Sequence, residues 1–113
     1  MDYVSPPIEK FHVLVDDVIG KIRPETRLVC IMMANNETGA IQPIEEIGRE
    51  INKINQNRDE LERIKFLVDA SQAFGKIKVD VEVLQCDFLV IAGMSIFKFI
   101  IFLLNLWTQA KIF

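Results

Sequence analysis

Cysteine is scarce in this sequence: Cys30 and Cys86 are the two among 113 residues, with no CxxC pair. Histidine is scarcer still, with His12 alone. A disulfide scaffold and a Cys/His zinc site both need several such residues at short spacing, so both are disfavoured. An excess of positive charge is also lacking. Thirteen Lys and Arg stand against sixteen Asp and Glu, a net charge of −3, which argues against a basic nucleic-acid binder. Residues 1–10 hold Asp2, Pro6, Pro7 and Glu9 and no apolar core of signal-peptide length, so a cytosolic location is expected. What is present is a globular composition, 50% hydrophobic and 26% charged, in a length suited to one small domain with one core.

Hydrophobic patterning predicts an α/β chain. Residues 27–34, RLVCIMMA, form a near-continuous apolar run of strand length, as expected of a parallel strand covered on both faces. In that setting Cys30 is a small buried residue. A polar loop, NNETG at 35–39, follows, and Pro43 opens a helix where its missing N–H costs nothing. Ile44, Ile47, Ile51 and Ile54 recur at helical spacing and predict one buried stripe, with the helix ending near Asn57. Glu45 and Glu46 suit its first turn. Residues 58–63 read as a charged, solvated connection, and 65–69, KFLVD, as the second strand. Residues 80–84 suggest a short helical turn and 87–92 a third strand. Upstream, Asp16 or Asp17 is expected to cap a helix through Lys21, with Val18 and Ile22 on one face and Pro24 ending it. Helix, strand, helix, strand, turn, strand implies at least one βαβ crossover.

The stretch 88–107, FLVIAGMSIFKFIIFLLNLW, carries the single charge of Lys98 and is long enough to span a bilayer. Its apolar side chains favour insertion by about 4–8 kcal/mol, opposed by about 2.5–3.5 kcal/mol for Lys98 and by Asn105, Ser95 and Gly93. A membrane-associated segment is one reading. The preferred reading is a buried strand at 87–92 followed by a separate apolar tail, 94–113, with two lysines and no acid.

In an open parallel sheet, ligands bind beyond the carboxyl ends of the strands. Asn35, Asn36 and Glu37 follow the first strand, and Asp69, Ser71 and Gln72 end the second. On spacing alone, the simpler account is that Asp69 caps a helix and the Asn pair makes a turn.

The motifs say more. NNETG at 35–39, the prolyl helix, VDASQAFGK at 68–76, VDV at 79–81 and DFLVIAG at 87–93 together resemble the class V aminotransferase family of fold-type-I pyridoxal phosphate enzymes. Within it they resemble the cysteine desulfurase and selenocysteine lyase branch. RPETRLVCIMMANNETG at 23–39, INKINQNR at 51–58 and the long connection from Asn36 to Asp69 look like the selenocysteine lyases. The resemblance covers about residues 11–93. It implies part of the parallel-sheet large domain, with pyridoxal phosphate as cofactor and selenocysteine or cysteine as the small-molecule substrate of the complete, homodimeric enzyme. It further implies that Asn36 hydrogen-bonds the cofactor's phenolic oxygen and that Asp69 pairs with the protonated pyridine nitrogen. Gln72 would also approach the phenolic oxygen.

After DFLVIAG the pattern breaks. The family continues with His-Lys, whose lysine forms the Schiff base; here Met94 and Ser95 stand in those places, and Lys98 comes three residues after Ser95. The family's mobile catalytic cysteine and its ring-stacking histidine have no counterpart, so no catalytic residue is assigned, nor any metal ligand. His12 is read as a surface residue, and Cys86 as partly exposed with nothing nearby to lower its pKa. The expected division is a partial pyridoxal phosphate domain at 1–93 and a divergent tail at 94–113. The expected chain is inactive alone. The alternatives are a non-catalytic isoform that binds the full-length enzyme, or a membrane-associated fragment.

Overall fold

The computed structural model of the chain describes residues 2–5 and 11–92. Three strands, β1 (Leu28–Met32), β2 (Lys65–Asp69) and β3 (Phe88–Val90), form one sheet in the order β1-β2-β3. Both pairs are parallel, with Met32 opposite Asp69 and Asp69 opposite Val90. Parallel pairing follows from the connections, because each carries a helix back across the sheet. Helix α2 (Ile44–Asn55) joins β1 to β2, and α3 (Val81–Leu84) joins β2 to β3. Helix α1 (Val15–Gly20) precedes the sheet and packs on α2.

The isoleucine stripe of α2 makes the core. Ile44, Ile47 and Ile51 are buried against Ile64, Phe66 and Val68 of the second strand and its approach. Pro43 occupies the N-cap position. The stripe closes on Asn55 rather than Ile54, which is half-buried. Asn55 Nδ2 donates to the Ile64 carbonyl at 2.9 Å, and the Ile64 N–H donates to Asn55 Oδ1 at 2.8 Å. One buried amide thus pins the end of α2 to the entry of β2 and satisfies two backbone groups that burial would otherwise strand.

Several expectations need correction. Neither Asp16 nor Asp17 caps α1; Leu14 is its N-cap, without a side-chain hydrogen bond, and both acids lie in the first turn. Helix α2 ends at Asn55, two residues before Asn57. The connection after α2 is not simply solvated, because Arg58 donates to the carbonyls of Arg23 (2.7 Å), Thr26 (2.8 Å), Pro24 and Glu62 (3.1 Å each). It therefore ties the segment before β1 to the one before β2.

β1 is shorter than the apolar run because the chain turns after Met33. The Met33 N–H still donates to the Asp69 carbonyl at 2.7 Å, and Ala34 then pairs with Ile41. Nor is β1 covered on both faces. Leu28, Cys30 and Met32 are exposed among the described residues, while Val29 and Ile31 pack on the core. Cys30 is thus an exposed residue, not a buried one. The third strand is confined to Phe88–Val90, and the side chain of Asp87, just before it, engages β2. The carboxylate accepts from the Phe66 N–H at 2.8 Å and the Lys65 ammonium at 3.1 Å.

The strand reading of the 88–107 stretch holds for its beginning. Phe88–Val90 pair with β2, and the stretch from 93 onward lies outside the described residues. Among the described residues, no helix is long and apolar enough to cross a membrane. Met94, Ser95, Lys98 and the rest of the tail lie outside the described residues. His12 is exposed, as expected.

Candidate cofactor site at the carboxyl ends of the strands

The loop after β1 is built by Asn35. Its Oδ1 accepts from the Glu37 N–H and the Thr38 N–H, each at 2.9 Å, and from the Thr38 hydroxyl at 3.2 Å. The Gly39 N–H returns to the Asn35 carbonyl at 3.0 Å, with Gly39 at φ +71°, a left-handed conformation natural to glycine. The turn expected of the Asn pair is therefore the work of Asn35 alone. Asn36 is exposed, and its side chain makes no hydrogen bond to the described residues. The amide most available for a ligand is the one beside the amide that folds the loop.

Asp69 ends the central strand. Its Oδ1 accepts from the Ser71 N–H at 2.9 Å and also from the Ser71 hydroxyl. The Ser71 Oγ in turn accepts from the Ala92 N–H at 2.8 Å. Ser71 thus fixes the carboxylate rotamer and ties it to the chain leaving β3. Oδ2 accepts nothing from the described residues. The Ala70 carbonyl next accepts from the Ala73 and Phe74 N–H groups, forming the turn that carries Gln72. Gln72 is exposed, and its Oε1 accepts from the Lys76 ammonium at 3.3 Å.

Asn36 and Gln72 line one open depression of about 430 Å³, together with Asn35, Thr38, Lys76 and Ile77. Asp69 is not among the residues on its wall. It stands at the end of the strand from which the Gln72 turn springs, beside Met32 in the sheet register. The structure therefore brings Asn36 and Gln72 to one depression and leaves Asp69 at the end of β2, outside its lining. Ser71, the residue that aims the carboxylate, carries no role in the motif-based assignment. Its signal is the Asp-Ala-Ser spacing, which suits a local side-chain turn.

The two cysteines contribute no nucleophile to this site. Burial pushes the Cys86 thiol above its ordinary value; a backbone hydrogen bond opposes this in part, and neighbouring Asp87 adds a smaller rise. Cys86 is half-buried, as expected. No cluster of metal-ligating side chains occurs among the described residues.

The sequence model of the aminotransferase class-V family matches residues 4–96. The chain belongs to the class-V aminotransferase family. The match reaches further than the motifs alone suggest, taking in residues from 4 and up to 96. A selenocysteine lyase of Rattus norvegicus is 50% identical over 91 residues, covering 77% of this chain and 21% of the relative. The cysteine desulfurase IscS of Methanosarcina thermophila is 44% identical over 88 residues, covering 77% and 20%. Among solved structures, one described as "SspA in complex with cysteine" superposes with a TM-score of 0.63 at 35% identity, covering 73% of this chain and 21% of that one. The chain thus spans about a fifth of the length of these relatives. Its parallel three-stranded sheet is a portion of the fold of class-V pyridoxal phosphate enzymes.

The donor set suits the ring of that cofactor. A carboxylate with an open oxygen matches a protonated ring nitrogen, and side-chain amides match a phenolate oxygen. The only cationic side chain lining the depression is Lys76, so the fit on the described residues is to the ring and not to the phosphate.

Proposed function

We propose that this chain carries the ring-holding part of the cofactor site of a selenocysteine lyase-like enzyme. The complete enzyme would convert L-selenocysteine to L-alanine and release selenium. The reading rests on one observation above all: an aimed, half-open carboxylate and two exposed amides sit at the carboxyl ends of neighbouring parallel strands. The 50% identity to a selenocysteine lyase favours selenium over sulfur as the element released.

Pyridoxal phosphate, when bound, supplies an electron sink for a carbanion at the substrate Cα. The chain's own residues would prepare that sink. Asp69 would hold a proton on the ring nitrogen, with Oδ2 as its free acceptor. Ser71 would keep the carboxylate from rotating and so hold that proton in place. Asn36 would donate its amide N–H to the phenolic oxygen, and Gln72 would do the same. Lys76 engages the Gln72 carbonyl oxygen, which leaves the Gln72 amide nitrogen as the free end and selects a donor role.

Met94 and Ser95 replace the family's His-Lys pair, Cys30 lies on a sheet face and Cys86 is held as the thiol. On these grounds the chain alone has no turnover, and 1–93 and 94–113 divide it into domain portion and divergent tail. The complete enzyme would be a homodimer acting in the cytosol.

The test restores what is missing. The native chain and a Met94→His/Ser95→Lys double variant are titrated with pyridoxal phosphate, reduced with borohydride and peptide-mapped. The double variant should show saturable absorbance and a reduced adduct at position 95, abolished by adding Asp69→Asn. The native chain should label surface lysines without saturation and release no selenide above a free-cofactor control. A saturable adduct at Lys98 of the native chain, selenide release from it, or indifference of the double variant to Asp69→Asn would overturn the reading.

A further inference from the structure

Two polar side chains are buried among the described residues, Asn55 and Gln42. Asn55 pins α2 to β2. Gln42 stands just before the Pro43 that opens α2, and it is 8% exposed. Its Oε1 accepts from the Val13 N–H at 2.8 Å, and its Nε2 donates to the Phe11 carbonyl at 3.3 Å. In a parallel ladder, one residue bonds the C=O and the N–H that flank a single residue of the neighbouring strand. The Gln42 amide makes that same pair of bonds around His12. A side chain thus does for the 11–13 segment what a strand edge would do, and it satisfies one acceptor and one donor of that backbone.

The backbone of Gln42 closes a different structure. Its N–H donates to the Met33 carbonyl at 2.9 Å, Ala34 pairs with Ile41, and the Asn35 N–H donates to the Ala40 carbonyl at 2.9 Å. These contacts are the root of the loop that presents Asn36. Beyond the root, the hydrogen bonds of residues 36–39 run only to Asn35 and Ala40 of the same loop, among the described residues. The loop therefore takes its placement from its root. The Gln42 carbonyl also accepts from the Ile44 N–H at 2.9 Å, so one residue joins β1, α2 and the 11–13 segment.

We propose that Gln42 is the positioning residue of the Asn36 loop: its side chain clamps the loop's root to the 11–13 segment, and releasing that segment loosens the loop. The clamp needs a planar amide, with a donor at one end and an acceptor at the other. A methionine of similar length offers neither, and a glutamate sets an oxygen against the Phe11 carbonyl. Phe11, His12 and Val13 are not on the wall of the depression that holds Asn36, so the segment acts on the loop only through its root. The importance of this clamp for the cofactor rests on the reading of Asn36 as a ring ligand.

The test follows amide nitrogen relaxation of the whole chain without pyridoxal phosphate. In the native chain Glu37, Thr38 and Gly39 should show the order parameters of rigid backbone, about 0.85, and in Gln42→Met these should fall below about 0.6. The central strand β2, paired on both sides, should stay rigid in both and marks an intact fold. Val13→Pro removes the N–H donor from the other side of the clamp and leaves position 42 untouched. It should loosen the same three amides, and the double variant should loosen them no further than Gln42→Met, because both substitutions open one clamp. Order parameters at 37–39 that hold in either folded variant overturn the proposal. So does a loss shared equally by β2, and so does additive loosening in the double variant. Should Gln42→Met fail to fold, Val13→Pro decides alone. If the loop loosens but adduct formation in the Met94→His/Ser95→Lys variant is indifferent to Gln42→Met, the reading of Asn36 fails and the clamp stands.

Discussion

Gly48 of α2 lies against the end of α3, and replacing it by alanine tests how tightly the two crossover helices are set. A Cβ at Gly48 would lie 2.4 Å from the Leu84 carbonyl oxygen, where ordinary contact begins near 3.4 Å. The obstructing atom is backbone, at the end of a helix whose Leu84 side chain is itself buried. It cannot swing aside as a side-chain tip would, so α3 must move by about 1 Å, an overpacking of the kind that costs about 1–3 kcal/mol. Alanine recovers about 1 kcal/mol of helix propensity over glycine. The net expectation is a loss of about 1 kcal/mol, seen as a urea midpoint lowered by roughly 0.5–1 M at a slope of about 1–2 kcal/mol/M. Gly20→Ala is the matched control. Nothing lies within 4 Å of its Cβ position at the end of α1, so the midpoint should hold or rise by a few tenths of a molar. A Gly48→Ala midpoint at or above that of the unsubstituted chain would refute the reasoning, as would equal losses in both variants.

Asn55→Ala should cost about 2–4 kcal/mol in the same urea assay, since it strands the buried N–H and C=O of Ile64 together; Asn55→Asp should cost as much, because it sets a carboxylate against the Ile64 carbonyl. Asp80 caps α3, and its carboxyl is held below its ordinary value by the Val83 N–H and then by Lys78. Its stabilising effect is present above the unfolded carboxyl value and is lost as pH falls through the lower folded value, so Asp80→Asn should flatten the acid limb of a stability–pH curve below about pH 4. Cys86 has the opposite sign. Burial raises its folded value, so its effect is present below the unfolded thiol value of about 8.5 and is lost as pH climbs through the folded one. The Cys86→Ser variant should lack that alkaline decline, and native Cys86 should alkylate more slowly at pH 8 than a cysteine in an unstructured peptide.

The elements whose partners are local were legible in the sequence. Periodicity alone locates α2, because Ile44, Ile47 and Ile51 must share one face to be buried at all. The strand at 65–69 and the short helix after Asp80 are legible for the same reason: the pattern and the cap lie within a few residues of each other. What was not legible depends on distant partners. Asn55 and Arg58 look like surface polar residues until the backbone groups of Ile64, Arg23 and Thr26 come beside them. Cys30 failed for a related reason. An apolar run reports that a strand is meant to be covered, but not which segment covers it. Of the site, the motif resemblance supplied Asn36, Asp69 and Gln72 as candidates, and the fold supplied Ser71, whose importance lies in a hydrogen bond to Ala92 some twenty residues later in sequence.

The plain and the chemical accounts of the strand-end residues are not rivals. Turn-forming and ligand-holding compete only if they need the same atoms, and here they do not. Asn35 spends its carbonyl oxygen on the loop and leaves the next amide unengaged. Asp69 spends Oδ1 on Ser71 and leaves Oδ2 open. Lys76 takes the Gln72 carbonyl oxygen and leaves its amide nitrogen. For Asp69 and Gln72 the structural hydrogen bond removes a rotamer choice from the group that would face a cofactor ring, and for Asn36 the Asn35 bonds fix the backbone that carries it. The entropy of orienting that group is then lost on folding, not on binding. Groups oriented in this way would meet a cofactor ring with little further ordering to lose.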